Sequence, residues 1–143
     1  MSGLPFFVYG TLRPGAYNHD RFLLGRTAVE EGARLPGAFL HDGPGYPYVV
    51  VPGEGVVAGT LVTAAPEAYG ELLGVLDRME CEAGYERTAR EVVRERDGRP
   101  VTAWVYVAAP GTRVGPLIPS GDWFMTESLP EAARPAPPVP RTP

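Results

Sequence analysis

Pro5-Phe6-Phe7-Val8-Tyr9-Gly10-Thr11-Leu12-Arg13-Pro14-Gly15 is a short aromatic and β-branched run that ends abruptly in turn residues. Such a run predicts a buried strand, and Gly10, Pro14 and Gly15 predict a sharp turn directly after it. Gly10 carries no Cβ, so backbone amides in this turn can approach a ligand closely. A plain strand end with a turn has the same pattern, and only the rest of the chain separates the two readings.

Outward from that stretch, Asn18 is a suitable N-cap for a short helical turn through Leu24, which Gly25 would end. Between Arg26 and Leu40 the apolar residues suggest two short strands with a bend, interrupted by Gly32 and by Pro36-Gly37. The turn-rich loop His41-Asp42-Gly43-Pro44-Gly45-Tyr46-Pro47 leads into a strand at Tyr48 to Val51. Its glycines invite a phosphate-loop reading, but no Gly-Lys-Ser/Thr follows and no helix begins there. Val56 to Val62 is a further strand, in which Gly59 marks a bulge or a close backbone approach.

The one strong helix runs from about Pro66 to Glu80. Pro66 suits its first turn, and Tyr69, Leu72, Leu73, Leu76 and Met79 recur at the three-and-four spacing of a buried stripe. After a break at Ala83-Gly84, the strands Tyr85 to Arg94 and Val101 to Val107 join through Asp97-Gly98, a strong hairpin signal. On the second of them Thr102, Trp104 and Tyr106 share one face, and Val101, Ala103, Val105 and Val107 the other. Gly121-Asp122-Trp123-Phe124 reads as a compact turn with aromatic anchors. Strands around a single helix, with no repeat and no strand-helix-strand rhythm, predict an α+β domain. Its sheet is small, mixed and mostly antiparallel, and closes toward a β-barrel. The domain is expected over residues 1–128. Residues 129–143, with six prolines from Pro130 onward and no periodicity, are expected to form a disordered tail.

With 143 residues and 44% apolar content the chain suits one domain with a real core. A net charge of -4, with arginines scattered from Arg13 to Arg141, offers no polyanion-binding face, so nucleic acid is not an expected partner. One cysteine, Cys81, allows neither an internal disulfide nor a cysteine zinc site. No charged leader and no membrane-length apolar stretch are seen, which predicts a soluble cytoplasmic protein.

Glu80 is the chemically informative residue. It lies four positions after Leu76 and seven after Leu73, so a helix reaching it would turn its carboxylate to the apolar face. Desolvation and the negative helix terminus would then raise its pKa, suiting it to act as base and then acid near neutral pH. If the helix frays at Met79 the carboxylate is solvated, which is the commoner outcome for such a pattern. Glu82 competes as an exposed acid. Cys81 with His19 or His41 is a weak thiol-enzyme signal, a buried and inert thiol being the favoured reading, and Glu80, Glu82 and a histidine lack metal-ligand spacing. Tyr9, Tyr85 and Tyr106 read first as core aromatics whose hydroxyls reach the rim.

Tyr9-Gly10-Thr11-Leu12-Arg13, Asn18-His19, Leu35-Pro36-Gly37, Tyr46-Pro47, Gly59-Thr60-Leu61, Leu76-Asp77-Arg78-Met79-Glu80, Tyr85-Glu86-Arg87 and Ala103-Trp104-Val105-Tyr106-Val107 follow one another in the order seen in the gamma-glutamylcyclotransferase-like family. The chain resembles that family over most of its length, and its Gly121-Asp122-Trp123 ending resembles the small bacterial and gamma-glutamylamine branch. The resemblance implies a small β-barrel flanked by helices. It also implies conversion of a gamma-glutamyl amine or amino acid to 5-oxoproline and a free amine, without a cofactor or metal. Carried over by position, the backbone of Tyr9, Gly10, Thr11 and Leu12 would hold the α-carboxylate of a small-molecule substrate. Glu80 would be the acid/base, and Tyr85 and Tyr106 would line the cavity. The family glutamate is commonly followed by glycine, whereas here Cys81 and Glu82 follow. A non-catalytic binding protein that keeps the cavity is the alternative reading. The leaving amine and the oligomeric state are not legible.

Overall fold

A computed structural model describes residues 3–10, 12, 13, 23, 26–43 and 46–123. The helical turn expected after Asn18, together with Thr11, Phe124 and the proline-rich tail, lies outside the described residues. The strands are β1 (Phe6–Val8), β2 (Thr27–Pro36), β3 (Phe39–His41), β4 (Tyr48–Val50), β5 (Val56–Ala64), β6 (Tyr85–Arg94) and β7 (Pro100–Ala108). A single 3-10 turn, Pro66–Ala68, leads into helix α1, Tyr69–Glu82.

Five strands close into a barrel in the order β1-β5-β2-β6-β7. The closure falls on β1, which pairs antiparallel with β5 (Phe7 opposite Leu61) and parallel with β7 (Phe7 opposite Val105). A strand enclosed in this way has no solvent side, which is why Phe6, Phe7 and Val8 form an unbroken apolar run and are all buried. The fold is thus a small α+β barrel of mixed but mostly antiparallel pairing. β3 and β4 form a separate two-stranded hairpin beside it.

Gly32 does not interrupt its strand. β2 runs unbroken for ten residues, with Gly32 in register opposite Thr60, and the bend comes only at Gly37, whose φ of 78° suits glycine. The first half of β2 is largely solvent-facing, so it lacked the apolar alternation that marks a strand. Gly59 makes the close approach rather than the bulge. It pairs with Ala33 without a register shift, and a Cβ there would stand 2.5 Å from the Val8 carbonyl oxygen and 2.6 Å from the Phe7 ring.

β6 and β7 form a hairpin paired from Tyr85 with Ala108 to Val93 with Pro100. Residues 95–98 make its turn, with Gly98 at φ 69° and the Asp97 carboxylate accepting from Arg94 and from the Arg99 amide. β2 meets β6 only at Ala33 and Arg34, and the ion pairs Glu31–Arg96 and Arg34–Glu95 span the same junction at 2.6 and 3.2 Å. α1 packs across β6 and buries Leu72 and Leu76 completely. Its anchors on β7 come from the aromatic, partly polar face of that strand. Trp104 Nε1 donates to the Tyr69 hydroxyl at 3.0 Å, and the Tyr106 hydroxyl donates to Asp77 at 2.6 Å. No helix among the described residues is long and apolar enough to cross a membrane.

Candidate active site

The helix does not fray at Met79. It continues through Glu82, and the Ala83 amide closes its end on the Glu80 carbonyl at 3.0 Å. Glu80 therefore sits in the last turn on the same side as Leu76 and faces inward, partly buried, while Cys81 and Glu82 are exposed. Its carboxylate enters a cavity of about 140 Å³, whose wall includes Tyr9, Gly10, Leu12, Tyr85 and Tyr106. Burial pushes the Glu80 carboxyl up to about 7, because the ionised form loses its water.

Several donors stand close by, and all of them are committed elsewhere. The Tyr9 hydroxyl donates to the Tyr106 carbonyl at 2.6 Å and accepts from the Val49 amide at 3.0 Å. Tyr48 donates to the Ala83 carbonyl, Tyr85 to the Pro47 carbonyl and Tyr106 to Asp77. Burial raises the pKa of all four phenols, Tyr48 to about 12, and the nearby Glu80 charge raises each of them further. Tyr85 and Tyr106 thus present rings rather than hydroxyls to the cavity. The group in this cavity with a proton to exchange near neutral pH is Glu80.

The opposite wall is the turn after β1. The Arg13 amide closes it on the Gly10 carbonyl at 3.1 Å, and Arg13 forms an ion pair with Asp122 at 2.8 Å. That pair ties the turn to the Gly121–Trp123 corner, where Gly121 has φ 72° and its carbonyl accepts from the Ala58 amide. At Gly10 a Cβ would stand 2.7 Å from Pro47 Cδ, so glycine is what lets the two loops meet over the cavity. Gly10 and Leu12 of this turn line the cavity together with Glu80.

Of the residues singled out from the sequence, Tyr9, Gly10, Leu12, Glu80, Tyr85 and Tyr106 line this one cavity, and Thr11 lies outside the described residues. Cys81 is exposed rather than buried, because the helix continues past Glu80 and turns position 81 away from the side that carries Leu76 and Glu80, and His41 directs Nδ1 to the Gly115 carbonyl at 2.9 Å, so the described residues form no thiol-imidazole pair. No three metal-ligating side chains cluster among the described residues. Sequence reasoning missed Tyr46, Pro47 and Met79 in the wall, and Asp77 beside it. Asp77 had a signal: it stands three residues before Glu80, which in a helix is the same side one turn earlier.

Residues 6–125 match the family described as Gamma-glutamyl cyclotransferase, AIG2-like, and the chain belongs to that family. Its relatives include a gamma-L-glutamyl-butirosin B gamma-glutamyl cyclotransferase from Niallia circulans, 30% identical over 113 residues. That match covers 71% of this chain and 64% of the relative's length. Among solved structures, YkqA from Bacillus subtilis superposes with a TM-score of 0.68 at 27% identity, over 94% of this chain and 44% of YkqA. An AIG2-like protein from Mus musculus superposes with a TM-score of 0.63 at 26% identity, covering 78% of this chain and 81% of its own.

Proposed function

We propose that the protein is a gamma-glutamyl cyclotransferase that releases 5-oxoproline and a free amine from a gamma-glutamyl amine or gamma-glutamyl amino acid, with Glu80 as the general acid/base. The observation that carries this reading is a partly buried carboxylate lining the same cavity as Tyr9, Gly10 and Leu12 of the turn after β1. Family membership and the named activity of the Niallia circulans relative support it.

In this reading the α-carboxylate of the substrate is held by the amides of the Tyr9–Leu12 turn. That leaves the α-ammonium within reach of Glu80. Glu80 takes a proton from it, and the freed nitrogen attacks the γ-carbonyl carbon of the same molecule. The new C–N bond closes the five-membered ring, and the amide C–N bond then breaks. The departing nitrogen receives the proton that Glu80 holds, and the ring nitrogen gives up its second proton through the same carboxyl to the released amine, which leaves as an ammonium ion, so the carboxylate is regenerated and no outside reactant is consumed. A carboxyl titrating near neutrality suits both steps, because it is basic enough to accept and acidic enough to return the proton. Because nucleophile and electrophile belong to one molecule, much of the rate enhancement comes from holding the substrate folded on itself.

The test is to incubate the protein with a panel of gamma-glutamyl amines and gamma-glutamyl amino acids and to quantify 5-oxoproline by mass spectrometry. At least one substrate should be consumed, and Glu80→Gln should lower kcat by about a hundredfold or more, the range of a lost acid/base. Undiminished turnover in Glu80→Gln would remove Glu80 from the mechanism.

A further inference from the structure

We propose that Asp77 and Tyr106 are positioning residues, forming with Tyr9 a continuous strap that fixes the helix bearing Glu80 against the turn that faces it. The proposal rests on the cyclotransferase reading and assigns the residues that hold the two halves of that site in register.

The strap can be followed atom by atom. Arg87 Nε on β6 donates to Asp77 Oδ1 at 2.9 Å, and the Tyr106 hydroxyl on β7 donates to the same oxygen at 2.6 Å. Asp77 lies one helical turn before Glu80, so this oxygen pins the stretch of α1 that carries the acid/base. At its other end Tyr106 uses its carbonyl to accept from the Tyr9 hydroxyl at 2.6 Å. Tyr9 in turn accepts from the Val49 amide at 3.0 Å, which brings β4 into the same chain. Tyr9 is the first residue of the turn and precedes Gly10. One residue, Tyr106, therefore holds the helix with its side chain and the turn with its backbone.

The strap is stiff for identifiable reasons. The Tyr106 bond runs to an Asp77 oxygen that is also paired with Arg87, and bonds within such charge-paired groups are shorter and stronger than neutral ones. Arg87 is itself fixed, its guanidinium lying over the Trp104 ring with Cζ 4.1 Å from the centroid, while Trp104 is hydrogen-bonded back to Tyr69 on α1. Tyr9 and Tyr106 are both buried, so water competes poorly for their bonds. A separate role as proton donors is closed to both, since each hydroxyl hydrogen already has an acceptor in the strap.

Tyr106→Phe and Asp77→Asn test this with minimal change of volume. On any gamma-glutamyl amide that the wild type consumes, each variant should lower kcat by about tenfold to a hundredfold, the scale of a misplacement of about 1 Å. KM should move far less. The double variant should be no slower than the slower single one, because both cut the same strap. A purely structural role would lower Tm while leaving kcat per folded molecule unchanged. A second readout needs no turnover. In amide nuclear magnetic resonance spectra of Asp77→Asn, the Gly10 resonance, across the cavity, should shift along with those near residue 77. Wild-type kcat in both single variants, multiplicative losses in the double, or a Gly10 resonance that does not move would overturn the proposal. If the wild type consumes no panel member, the cyclotransferase reading fails, and the Gly10 resonance alone decides for or against the strap.

Discussion

At the scale of single residues, Glu80 is costly to the fold. Its carboxyl titrates near 4.5 when solvated and near 7 in the folded protein, so between those values the native state holds a proton that the unfolded chain has released. Stability from this group is therefore fully present below about pH 4.5 and is lost as the pH rises through about 7, the reverse of a salt-bridged acid. Glu80→Gln removes the penalty. At pH 8 the variant should be more stable than the wild type by roughly 1–2 kcal/mol in urea unfolding, and the gain should vanish near pH 4. Equal stability of the two proteins at pH 8 would mean that the carboxylate is solvated after all. A fold that retains such a group in the lining of a cavity gives up stability there, the trade expected of a functional site.

Among the elements, β1 governs the candidate site because the turn that lines the cavity is its continuation. β1 is only three residues long, and its position depends on how closely β5 approaches it. Gly59 sets that approach: the Cβ of an alanine would meet the Val8 carbonyl oxygen and the Phe7 ring, neither of which can retreat from the core. Gly59→Ala should therefore destabilise the protein by about 1–3 kcal/mol, measured by chemical unfolding, in line with overpacking of a dense interior. A neutral effect would mean that the strand pair is more pliant than its geometry indicates. Much at this scale was legible in the sequence. Val-rich β5, the helix stripe and the Asp97-Gly98 hairpin each follow a local periodicity or turn rule. β2 was less legible, because its first half faces solvent and Gly32 looks like a break when the pairing partner is unknown. Glu80 was legible as a candidate, but the fate of the helix end was not, since the last turn, through Glu82, depends on packing that the helix sequence does not encode. The barrel closure through a parallel β1–β7 pair left no local trace.

Taken as a whole, the molecule brings residues from β1, β4, α1, β6 and β7 to one end of a small barrel and surrounds one carboxylate with tyrosines already hydrogen-bonded elsewhere. The strap through Asp77 and Tyr106 shows why such a site could not be read from the chain alone: its members are distant in sequence, and each looks like an ordinary core or surface residue in its own segment. Membership of the AIG2-like cyclotransferase family gives this architecture its chemical direction, and Glu80 is where that direction is tested. The most direct measurement is the pH dependence of kcat/KM for release of 5-oxoproline from a gamma-glutamyl amide, between about pH 5 and pH 9. The account predicts a rate that rises with deprotonation of a single group near pH 7 and an inflection absent from the residual activity of Glu80→Gln. A profile without an inflection between pH 5 and 9, or the same inflection persisting in Glu80→Gln, would contradict it.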